Sequence, residues 1–110
     1  MEEHPHGPAN AISLRLHRLV AAEVREQPER RVREALAAVG RDESRGTLDP
    51  RYAARWRAVL RGPLSGLLRV LQEDDEPARE LRQNSPFAGV VPEIERQRVV
   101  REVWAEARAS

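Results

Sequence analysis

The side chains here that could form a nucleophile and its base include His4, His6 and His17 on one hand and Ser13, Ser44, Ser65 and Ser85 on the other. A serine hydroxyl attacks only when a base is held against it, and none of these serines lies in a GxSxG elbow or another motif that would hold it. The acid pairs Glu73–Asp74 and Glu93–Glu95 sit in charged runs with nothing to push one carboxyl pKa above the other, as general acid–base work requires. The stretch Arg61-Gly62-Pro63-Leu64-Ser65-Gly66 has two glycines but lacks the lysine, the spacing and the preceding strand of a phosphate loop. The residues therefore predict a protein that is not an enzyme and needs no cofactor.

Metal ligation fares no better. His17 has Ser13 and Ala21 at its four-residue neighbours, so no second ligand shares its helical face. His4 and His6 fall in a segment of turn composition. With no cysteine, disulfides, thiolate catalysis and cysteine-containing zinc sites are excluded.

Binding chemistry is better represented. The segment from Leu81 to Gly89 holds the single phenylalanine of the chain inside a polar, turn-rich stretch. Phe87 has two places open to it: a plug where two helices separate, or an exposed anchor with Arg82, Asn84 and Ser85 as a polar contact set around it. A second candidate contact lies in the run from Arg51 to Arg69, which has five arginines and no acid before Glu73, Asp74, Asp75 and Glu76 follow in a row. Arg51 and Arg55 could contact a partner there or track a phosphate backbone. Gly62 between two helices superficially resembles a helix-turn-helix, but Leu64, Leu67, Leu68, Val70 and Leu71 offer hydrocarbon where a recognition helix needs polar groups. Nucleic-acid binding through residues 51–69 is thus the alternative reading, behind protein binding.

The elements that must carry these residues are helical. Residues 1–9, with His4, Pro5, His6, Gly7 and Pro8, are expected to be a disordered tail. Asn10 reads as the N-cap of a helix to about Gln27, with Ile12, Leu16, Leu19, Val20 and Val24 in one stripe. Pro28 opens a second helix that Gly40 should end, and Arg41 to Leu48 reads as a loop. Asp49 and Pro50 start a third, with Tyr52, Trp56, Val59 and Leu60 inward and Gly62 closing it. From Pro63, the seam Leu64, Leu67, Leu68 and Leu71 is expected at the centre of the core. Asp75 and Pro77 start a short helix to about Gln83, and residues 84–89 form a loop. From Pro92 a terminal helix runs to about Ala109, with charge alternating along it and Trp104 and Val100 as side chains that could dock into a partner groove. The prediction is an all-α protein, a compact bundle of five or six helices in one domain over residues 10–110.

Composition narrows the setting. All 19 basic residues are arginine, which first reflects GC-rich coding, and the net charge of +1 argues against a surface built wholly for nucleic acid. Neither a signal peptide nor a run of about 20 apolar residues is present, so a soluble, cytoplasmic protein without membrane contact is expected. Apolar helix seams also make a homodimer an open expectation.

The segment Leu81 to Gly89, together with Leu16-His17-Arg18-Leu19-Val20 and the charged terminal helix, resembles small, uncharacterised helical bacterial proteins associated with toxin–antitoxin gene pairs. The resemblance covers most of residues 12–104. It implies an accessory or antitoxin-like protein that acts by binding, with a toxin as its protein partner, and it carries no active-site residues.

Overall fold

The computed structural model describes residues 7–109 as six helices: α1 (Gly7–Glu26), α2 (Pro28–Ser44), α3 (Pro50–Arg61), α4 (Leu64–Gln72), α5 (Glu76–Arg82) and α6 (Glu93–Ala109). Among the described residues there is no strand, and the protein is an all-α bundle.

Two helix starts are fixed by the same device. The Asp49 carboxylate accepts from the Arg51 N–H at 2.7 Å, and the Asp75 carboxylate accepts from the Ala78 N–H at 2.9 Å, each with a proline in the first turn behind it. A capping carboxylate satisfies a backbone donor that has no partner within the helix, and proline there loses nothing by lacking its own N–H.

Two boundaries differ from the sequence expectation. Helix α1 begins at Gly7 rather than at Asn10, because Pro8 is compatible with a first turn. The Asn10 side chain instead donates to Asp74 at 3.3 Å. The other residues of the expected tail, 1–6, lie outside the described residues. Helix α2 runs through Gly40 to Ser44, and the chain turns at Gly46, whose φ of +75° is the left-handed conformation that glycine adopts without strain. A mid-helix glycine costs only about 1 kcal/mol. Against that, the buried Val39 is held in the core, and Glu43 on the extra turn pairs with Arg57 of α3 at 2.7 Å.

Helix α1 is the hub, packing on α2, α4, α5 and α6, while α3 closes the other side against α2, α4 and α5. The α4 seam is less central than expected: Leu67 and Leu71 are buried, but Leu64 is 40% exposed. A nine-residue helix presents only two turns of one face to α1. The interior is built around Trp56, which is fully buried, donates its indole N–H to the Leu81 carbonyl at 3.1 Å and meets Phe87 edge to face at a centroid separation of 5.9 Å.

Candidate functional site: the α5–α6 loop and the outer face of α6

The end of α5 and the loop that follows it carry four of the residues singled out from the sequence, and two of them, Arg82 and Phe87, are buried. Arg82, the last residue of α5, is 3% exposed. Its Nη1 donates to the carbonyls of Val70 at 2.8 Å and Glu73 at 2.6 Å, and its Nη2 lies 3.7 Å from the Asp74 carboxylate. Those carbonyls end α4 and have no N–H of their own helix to accept from, so Arg82 ties the C-terminus of α4 to α5. Arg82 is accordingly not a surface contact. Phe87 is 2% exposed and takes the plug position against Trp56, which removes it as an exposed anchor. Asn84 is half-buried and donates to the Glu80 carbonyl at 3.1 Å, closing the end of α5.

Ser85 has a partner that sequence spacing does not reveal. Its Oγ accepts from the Phe87 N–H at 3.1 Å and lies 2.8 Å from Nε2 of His17 on α1. His17 Nδ1 lies 2.7 Å from the Ser13 carbonyl, an oxygen that can only accept. The neutral imidazole must then carry its proton on Nδ1, leaving Nε2 to accept the Ser85 hydroxyl proton. Serine hydroxyl, imidazole and an orienting oxygen in sequence are the geometry of an activated nucleophile. The electrostatics oppose that use. Burial first, and then repulsion from Arg82 and Arg96, push the His17 pKa down to about 4, against the bond to Ser13 that raises it. A base this weak gains little by taking the serine proton near neutral pH, and the imidazolium formed would face two guanidiniums. The pair instead pins the loop to α1.

Between α1, this loop and α6 lies a cavity of about 330 Å³. Ile12, Leu16, Val20 and Phe87 give it hydrocarbon walls, and His17, Ser85, Arg82 and Arg96 give it polar ones. Among the described residues no carboxylate lines it.

Arg51 and Arg55 sit on the other side of the bundle, on α3. Arg51 is exposed and pairs with Asp49 at 3.3 Å, while Arg55 pairs with Glu80 at 3.4 Å and stacks over Tyr52. Arg57 pairs with Glu43 and Arg69 with Asp75. The basic run is therefore largely compensated by carboxylates within the fold, which leaves little uncompensated positive charge for a phosphate backbone.

Helix α6 rests chiefly on α1, burying Val99 and Val103, and Arg15 of α1 pairs with Glu102 and Glu106 across that seam. Its opposite face carries Ile94, Gln97, Arg101, Trp104 and Arg108, all exposed. Their spacing of 3, 4, 3 and 4 places them on one side of an α-helix. Ile94 is 73% and Trp104 47% exposed. Neither Arg101 nor Arg108 forms an ion pair among the described residues, although Arg96 and Arg98 on the same helix are paired with Glu93, Glu95 and Glu102. The sequence pointed to Trp104; the two unpaired arginines flanking it became visible only with the pairing pattern.

Among the described residues, no group of three His, Cys, Asp or Glu side chains is placed to hold a metal, and no helix is long and apolar enough to cross a membrane. No protein-family model matches this chain, and neither does any curated protein or solved structure.

Proposed function

We propose that this protein is a helical protein-binding module whose contact face is the outward stripe of α6. The observation that carries the reading is Trp104, half-exposed between Arg101 and Arg108, each about one turn of helix away, on a face that no other element covers. Tryptophan and arginine are the residue types that most often dominate interface energetics, because each combines apolar area with a polar edge. Charge decides the partner's chemistry: an apolar groove that admits Trp104 and Ile94, rimmed by carboxylates that meet Arg101 and Arg108. The resemblance noted from the sequence makes a toxin produced alongside this protein the partner to look for.

The contact set differs from the one the sequence singled out. Arg82 and Phe87 act inside the fold, and Arg51 and Arg55 have carboxylate partners of their own. The test is capture from the native host with three baits: the wild type, Trp104→Ala and Arg51→Ala. A stoichiometric partner retained by the wild type and by Arg51→Ala but lost with Trp104→Ala supports the reading. Retention by all three, with a correctly folded Trp104→Ala, overturns it.

A further inference from the structure

The cavity between α1, the α5–α6 loop and α6 combines apolar and cationic walls. Its volume of about 330 Å³ lies at the lower end of the range of small-ligand sites. One part of its lining is hydrocarbon, from Ile12, Leu16, Val20 and Phe87. Another part is cationic and is not neutralised from within, since no carboxylate lines the cavity among the described residues.

The two guanidiniums are not equivalent. Arg82 is almost wholly buried, and although its Nη1 is saturated by two carbonyls, Nε and Nη2 have no hydrogen-bond acceptor. Such a group carries an unmet demand for negative charge, because a buried donor without an acceptor loses its hydration and gains nothing in return. Asp74 answers part of it from 3.7 Å. Arg96 is half-exposed, donates once to the Ala88 carbonyl at 3.0 Å and lies 3.8 Å from the exposed Glu93. A guanidinium has five N–H donors, so most of those on Arg96 remain for a ligand. His17, facing the same space, is neutral and bonded on both nitrogens, and so adds polarity without a competing negative charge.

We propose that this cavity binds a small amphipathic carboxylate. Its hydrocarbon or aryl body packs against Ile12, Leu16, Val20 and Phe87, and its carboxylate accepts from Arg96 within the field of Arg82. The apolar walls exclude a bare inorganic anion as the best ligand, and the two arginines exclude an amine. The site is separate from the outer stripe of α6, so its failure would leave the protein-contact reading untouched.

The test is a titration of the 110-residue chain, followed by amide chemical shifts, with sodium octanoate as the probe. The alcohol 1-octanol, octylamine and inorganic phosphate are run separately as tail-only, wrong-charge and charge-only probes. Octanoate should bind saturably, shifting Ser85, Ala88 and Arg96, with octanol and octylamine at least about tenfold weaker, the cost of one charge-assisted bond. Arg96→Gln, with its fold checked by its amide spectrum, should weaken octanoate about tenfold and leave octanol unchanged, whereas Arg101→Gln should change neither. Equal affinity for octanoate, octanol and octylamine would overturn the proposal. So would an Arg96→Gln variant that binds octanoate like the wild type, or the absence of saturable shifts up to millimolar probe.

Discussion

Ser85 Oγ lies 2.8 Å from His17 Nε2, joining the α5–α6 loop to α1 across 68 positions of sequence. Burial, with the nearby Arg82 and Arg96 guanidiniums, keeps the imidazole neutral, so that Nε2 accepts from the hydroxyl. Folding therefore holds His17 in the state that acid removes.

Stability should consequently fall in mild acid. The His17 pKa is about 4 in the fold against 6.5 when exposed, so the unfolded chain takes up the proton first. The stabilisation is complete above pH 6.5 and is lost progressively as the pH falls from there to about 4. A shift of that size at a buried group corresponds to about 3 kcal/mol. Urea melts of the wild type and His17→Gln across this range check it: the variant should have lost the part of the slope that His17 contributes.

Phe87→Ala should cost about 3 to 5 kcal/mol, because the ring is buried against Trp56 and its loss leaves a cavity at the centre of the bundle. Phe87→Leu, which keeps most of the volume, should cost less than about 2 kcal/mol. Thermal unfolding of both measures the difference. A Phe87→Ala protein that melts like the wild type would return this residue to the surface.

Arg82→Met should lower stability by about 2 kcal/mol, since the part-buried carbonyls of Val70 and Glu73 lose their donor. Arg55→Ala is the contrast. Its pair with Glu80 is exposed on both sides and should contribute less than about 1 kcal/mol. The two variants, compared by denaturant midpoint, separate a buried clamp from a solvated ion pair.

These residues also mark how far the sequence could be read. Helix starts at Asp49 and Asp75 were legible because a capping carboxylate and a proline act over three or four residues, and the apolar stripes of α1 and α3 are likewise local. Gly40 misled because a glycine's local cost is small beside the tertiary pull of Val39 and Glu43, which only the assembled bundle supplies. The stretch from Arg82 to Phe87 stands out in the sequence as an aromatic among polar residues, yet its direction depends on Trp56 and His17, dozens of residues away. Arg101 and Arg108 looked like any other charges on α6 until the pairing of Arg96 and Arg98 set them apart.

The protein-contact reading rests on Trp104, and the most direct measurement is the affinity of the captured partner for wild type and Trp104→Ala by calorimetric titration, with a melting curve of each. Binding should weaken by about 2 kcal/mol, or about 30-fold, with melting nearly unchanged because Trp104 contributes little to the core. Equal affinities for the two proteins would contradict it and place the contact elsewhere on the bundle.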